Sequence, residues 1–177
     1  MTEILNLLGG PGSGKSVNGL LLTGTLKKSG RKAEYASEFA KDAVWDKNFE
    51  TLQDQIYVFA KQNKRLYRLV NQVDYVVTDT SLLLSLTYLN DSTKKFVKDR
   101  SYWEKCFEDL IIETYNQYDN INFYCERGNW EYETIGRRQT LEESLVKDNE
   151  TLAILDKFEI KYQKVKSLEE IKQHLGV

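Results

Sequence analysis

The sequence predicts an α/β protein, a five-stranded parallel sheet held between two layers of helices. Three observations predict it. Short apolar runs alternate with longer segments whose apolar residues fall at helical spacing. Three of the later helical segments open on a Ser or Thr followed three residues on by Glu, the signature of a capping box. The only proline and five of the ten glycines lie between residues 7 and 21, so backbone irregularity is concentrated in one loop.

The elements follow in order. "EILNLL" (3–8) is a short buried strand that runs into the glycine loop. Ser16 to Lys28 reads as a helix closed by Ser29-Gly30. "KAEYASEF" (32–39) is the second strand. Segment 52–70 carries Leu52, Ile56, Phe59, Leu66 and Val70 at helical spacing. "YVVTD" (75–79) is the third strand and "SLLLSLTYL" (81–89) a short, largely buried helix. Ser101 with Glu104 opens a helix to about Tyr118, Thr140 with Glu143 one to about Phe158, and Ser167 with Glu170 the last. Between these lie the fourth strand, "NINFYCE" (120–126), and the fifth, "IKYQKVK" (160–166). Strands alternating with helices imply right-handed crossovers and a sheet covered on both faces.

A chain of 177 residues suits one domain, residues 1–177. Its formal charge of −2 argues against a general polyanion binder. Two cysteines, Cys106 and Cys125, make no disulfide scaffold; both read as core positions and fit a reducing, cytoplasmic setting. No stretch reaches the roughly 20 apolar residues of a membrane span, and the acidic start does not resemble a signal peptide.

Gly9 to Ser16, "GGPGSGKS", satisfies G-x-x-x-x-G-K-[ST] and stands between a strand and a helix, where that motif works. Glycines let successive amides turn inward around phosphate oxygens, and the following helix adds its positive end. The expected binding set is Gly9, Gly10, Pro11, Gly12, Ser13, Gly14, Lys15, Ser16 and Val17. Lys15 would reach the β- and γ-phosphates and the Ser16 hydroxyl would ligate Mg²⁺. There is no N-K-x-D element for guanine, so ATP is the expected nucleotide.

Asp79, at the end of the third strand, is the expected second magnesium residue; a helix N-cap for 81–89 would suit it equally well. Glu38, at the end of the second strand, is placed to act as general base or to fix a sugar. Phosphoryl transfer needs charge neutralisation, so arginines are expected on a lid over about 127–140, with Arg137 stabilising transferred charge and Arg127 and Arg138 binding nucleotide. Asn63 interrupts the apolar stripe of its helix and is a candidate for meeting substrate or buried backbone. "STKKFVKDRSYW" (92–103) mixes basic and aromatic residues, which admits nucleic acid without favouring it. His174, the only histidine, has no neighbouring ligands.

"GGPGSGKS", "ASEFAKDAVW", "LQDQIYVFAKQNKRL", "VVTDTSLLLSLTYL" and "NWEYETIGRRQ" follow one another much as in a group of small P-loop kinases. The chain resembles that group over about residues 3 to 165. It includes the ribosylnicotinamide kinase domain of NadR and phage proteins described as ATP-binding or nucleotide kinases. The resemblance implies an ATP- and magnesium-dependent phosphotransferase with a short lid. Glu38 would face the acceptor, Gln55 and Gln62 would lie on the substrate-side helix, and Arg137, with Arg138, would close over the phosphates. Two departures bear on the substrate: Ile135 rather than Asp precedes Gly136, and Ser37-Glu38-Phe39 lacks a leading proline. The expected acceptor is a nucleoside, a nucleotide or a related small molecule, with a modified base in DNA as an alternative, and the sequence does not choose between them. The rival class is an ATPase switch acting with a protein partner.

Overall fold

The computed structural model describes residues 1–89, 99–129, 131–135 and 139–177. Its sheet has the order β2-β3-β1-β4-β5 and every pairing is parallel. The strands are β1 (Glu3–Leu8), β2 (Ala33–Ala36), β3 (Tyr75–Thr78), β4 (Asp119–Cys125) and β5 (Gln163–Val165). The helices are α1 (Lys15–Lys28), α2 (Phe39–Trp45), α3 (Gln55–Tyr67), α4 (Leu84–Thr87), α5 (Arg100–Asn116), α6 (Leu141–Lys157) and α7 (Leu168–Leu175). This is the expected three-layer α/β architecture.

Alternation along β1 explains the layers. Leu5 and Leu7 point to one face, where Leu22 and Leu26 of α1 and Ile171 of α7 close over them. Ile4 and Leu8 point to the other, into clusters built by Phe59 and Leu66 of α3, Phe107 and Ile111 of α5, and Leu155 of α6. A strand buried on both faces has no polar side to give to water, so β1 reads as an apolar run. β1 sits between β3 and β4; from β1 the chain crosses to β2 on one side, and from β3 it crosses back past β1 to β4 on the other. Such a reversal opens a crevice at the carboxyl ends of the strands. The register Ala36–Thr78–Asn6 sets the ends of β2, β3 and β1 side by side.

Several boundaries differ from the sequence expectation for local reasons. β2 stops at Ala36 because Glu38 is already the N-cap residue of α2. β5 is only three residues long. The 52–70 segment is broken at Asp54, whose carboxylate accepts the Tyr57 amide and starts α3 there. In the 81–89 segment only Leu84–Thr87 is helical. Helix α5 is capped by Asp99, not Ser101: the Asp99 carboxylate accepts the Tyr102 amide at 3.1 Å. Cys106, expected inside, is exposed, because the buried face of α5 runs through Phe107, Ile111 and Tyr115. The Thr140–Glu143 box forms as expected, and Ser167 caps α7. Cys125 is buried in β4, and His174 stacks edge-on against Phe123. Among the described residues no helix is long and apolar enough to cross a membrane.

Candidate functional site

The crevice is a cleft of about 660 Å³. Its floor is the glycine loop and the ends of β2 and β3; its walls are α2 and α3 on one side and α4 and α6 on the other. Gly14, at φ 86°, is the N-cap of α1 in the left-handed region, where a side chain would be strained. A Cβ on Gly10 would come within 2.5 Å of the Ser144 carbonyl oxygen, so the loop and α6 meet at a distance only glycine permits. The first amides of α1 lack helical acceptors and open onto the cleft, an arrangement suited to an anion.

Lys15 donates from Nζ to the Gly10 carbonyl at 2.7 Å, arching over the loop. Burial pushes its ammonium down from the ordinary lysine value, and the charges of Glu38 and Asp79 oppose that shift. Ser16 donates from Oγ to Asp79 Oδ2 at 2.5 Å. Asp79 is 3% exposed, and its Oδ1 has no hydrogen-bond partner among the described residues. Helix α4 carries no side-chain cap, so capping does not account for Asp79. A buried hydroxyl–carboxylate pair with one carboxylate oxygen unsatisfied fits a hard cation that takes oxygen ligands.

Glu38 lines the same cleft. Burial and the Asp79 charge raise its carboxyl to about 7, against the pull of Lys15 and Lys41. The site therefore brings Lys15, Glu38 and the Ser16–Asp79 pair together from separate elements.

The two glutamines of α3 are not equivalent. Gln62 is used internally: its Oε1 accepts the Phe39 amide at 2.9 Å, and its Nε2 reaches the Thr80 carbonyl at 3.3 Å and the Ser37 carbonyl at 3.4 Å. It ties the ends of β2 and β3 to α3. Gln55 is 7% exposed and lines the cleft; its Nε2 donates to the Leu52 carbonyl at 2.8 Å, but Oε1 has no partner. Asn63 is outside the cleft lining, and the Tyr118 hydroxyl donates to its Oδ1 at 2.6 Å. The partner of its oxygen is thus a side chain, not the buried backbone of the sequence expectation.

Arg127 also lies elsewhere than expected. It is tied to Asp148, Ser144 and the Pro11 carbonyl, on the far side of the loop, and does not line the cleft. Arg137 and Arg138 lie outside the described residues, as does 90–98, which holds most of the basic–aromatic stretch. Arg100 of that stretch pairs with Glu104 at 2.9 Å.

Two further residues escaped the sequence reading. Tyr35 of β2 puts its hydroxyl within hydrogen-bonding reach of Asp79 and Ser16; burial, then the Asp79 charge, pushes that phenol up. Its ring fits because Gly19 has no Cβ, which would stand 2.8 Å from it, so the Tyr35–Gly19 pairing becomes visible only when β2 and α1 are packed together. Lys147 of α6 is buried in the cleft wall, donating to the Thr87 carbonyl at 2.6 Å and pairing with Glu150 at 2.9 Å. A lysine in an otherwise periodic α6 gives no such signal.

Residues 5–170 match a family described as an AAA domain. The chain belongs to that family. No curated protein sequence matches it. This AAA domain is similar in structure to the NadR protein solved in complex with NR, with a TM-score of 0.73 and 16% identity over 99% of the chain. The chain spans about half (52%) of the NadR chain. It is also similar to thymidylate kinase from Ehrlichia chaffeensis, with a TM-score of 0.62 and 14% identity over 99% of both chains. Deoxyadenosine kinase from M. mycoides with bound dATP gives a TM-score of 0.61 and 16% identity, over 98% of this chain and 100% of that one. At these identities the likeness is one of fold.

Proposed function

We propose that this chain is an ATP-dependent phosphotransferase that moves the γ-phosphoryl group to a hydroxyl or phosphate of a nucleoside, a nucleotide or a related small molecule. One observation carries the reading: Lys15, Glu38 and Ser16, the last hydrogen-bonded to Asp79, line a single cleft that continues along α3 to Gln55. A nucleotide-binding loop with no acceptor pocket would suit a switch. A cleft with room beyond the loop, and a carboxylate at the junction, suits transfer to a second molecule. The structural neighbours support the class, since by name one is a thymidylate kinase and one a deoxyadenosine kinase.

In this reading the loop amides and Lys15 hold the triphosphate, and Ser16 and Asp79 hold Mg²⁺. Bound there, the metal would neutralise charge on the β- and γ-oxygens. Glu38 takes the proton of the acceptor hydroxyl as the oxygen attacks phosphorus, and ADP departs. Gln55 receives a hydrogen bond from the acceptor. Lid residue Arg137 stabilises the transferred charge, with Arg138 on the nucleotide. Chain and reactants would meet in the cytoplasm.

The deciding experiment incubates the chain with γ-labelled ATP, Mg²⁺ and a panel of nucleosides, nucleotides, nicotinamide riboside and DNA with modified bases, and follows the label. Label on one small acceptor is the expected result. ATP turnover stimulated by none of them, but by a protein partner, would reject this reading in favour of an ATPase switch.

A further inference from the structure

The first half of the glycine loop is gripped by side chains that follow β4, more than a hundred residues away in sequence. Asp148 Oδ1 accepts the Gly10 amide at 2.5 Å. Asp148 Oδ2 accepts two bonds from Arg127, at 2.7 and 3.2 Å. Arg127 also donates to the Pro11 carbonyl at 3.0 Å and to Ser144 Oγ at 2.6 Å, and that hydroxyl donates to the same carbonyl. Ser144 is wholly buried, and the Arg127 and Asp148 side chains are 19% and 14% exposed. The Tyr132 ring lies under the guanidinium and so close to Gly12 that a Cβ there would stand 2.7 Å from it.

The charges make this more than a brace. A carboxylate touching a loop amide is an anion already seated beside the place proposed for a triphosphate. Left uncompensated, it would repel that ligand through a poorly solvated region. Arg127 meets both carboxylate needs: a forked donor satisfies the oxygen, and its charge cancels the field.

We infer that Arg127 and Asp148 form a positioning pair for the loop, in which Asp148 fixes the Gly10 amide and Arg127 neutralises Asp148 without touching the nucleotide. The inference rests on the reading of the loop as a triphosphate site. It assigns to Arg127 a role different from base contact and makes α6 part of the loop's support.

The test measures ATP binding with Mg²⁺ by calorimetry at low and high salt, with thermal unfolding alongside, for the whole chain. The variants are Arg127→Ala, Asp148→Asn and the double substitution. Arg127→Ala is expected to weaken binding about tenfold at low salt, with the deficit shrinking as salt rises. Asp148→Asn keeps an acceptor for the Gly10 amide and releases the arginine charge, so it is expected to bind ATP at least as tightly as the unmodified chain. The double variant is expected to bind more tightly than Arg127→Ala. A double variant no better than Arg127→Ala, with the deficit unmoved by salt, would show direct nucleotide contact and overturn the pair. If Arg127→Ala does not fold, Asp148→Asn decides alone: a tenfold loss there overturns the proposal. An unmodified chain that binds no nucleotide overturns the loop reading itself, and the pair's role with it.

Discussion

Glu38→Gln keeps the shape of the side chain at the junction of the cleft and removes its ability to accept a proton. A positioned general base contributes about 10²- to 10⁴-fold to rate, so the variant is expected to lose activity within that range. The pH dependence gives a sharper magnitude. With the carboxyl held at about 7 by burial and by Asp79, half of it is ionised at neutral pH and about a tenth one unit lower. The acceptor kcat/KM should therefore fall about tenfold per pH unit below that point and level off above about pH 8. The assay is initial-rate ADP formation dependent on acceptor, and the Glu38→Gln profile should lack this limb. The same shift fixes a stability sign. The folded protein holds the Glu38 proton more tightly than the unfolded chain, so stability falls as pH rises from the ordinary carboxyl value, about 4.5, through about 7. Glu38→Gln should thus be the more stable protein above that window and match the unmodified chain below it. An inflection near the ordinary carboxyl value, or a variant within threefold of full rate, would refute the reasoning.

Lys15→Ala should abolish ATP-dependent turnover; full activity would remove the loop's role. Gln55→Leu removes a buried unsatisfied oxygen together with one hydrogen bond, so its stability should change by no more than about 1 kcal/mol. Acceptor KM should meanwhile rise about tenfold with ATP KM unmoved, read by varying each reactant in turn. Leu66→Ala, at a fully buried position between α3 and the sheet, should cost about 2–5 kcal/mol in urea unfolding.

What was legible in the sequence was what local spacing encodes. Helix and strand alternation, the Thr140 cap and the glycine loop each depend on residues within a few positions of one another, and each is found. Strand order is a long-range choice; the chain passes β3's place to make β2 and returns, which no periodicity records. The buried face of α3 was misread by one position. An apolar count puts Ile56 inside, yet Ile56 is exposed and Gln55, Phe59, Gln62 and Leu66 form the buried stripe. Two glutamines sit where hydrophobic residues are expected, and such a local inconsistency is itself the mark of a site. The start of α5 was missed for a different reason: Asp99 and Ser101 are both good caps two residues apart, and only the observed bond to Tyr102 selects between them. Arg127 was recognised as important, but its partners Ser144 and Asp148 come to it only through tertiary packing.

The contrast between Gln62 and Gln55 locates where acceptor choice must lie. A buried amide with all its polar atoms engaged fixes the protein's own geometry, and Gln62 does this by tying the ends of β2 and β3, which carry Glu38 and Asp79, to α3. It cannot take up a ligand bond without releasing one of its own. Gln55 lines the cleft and is already anchored through its nitrogen, so engaging its buried oxygen would cost little further side-chain freedom. An acceptor that donates to that oxygen removes the penalty of an unsatisfied buried group. One that presents another acceptor there leaves two unpaired, and rejection on such grounds reaches about 10⁴–10⁵. In the proposed reading the loop, Lys15 and Asp79 would handle phosphate, which every candidate donor shares. Discrimination between acceptors is therefore expected at the start of α3, about two turns before the residue that sets the position of the base.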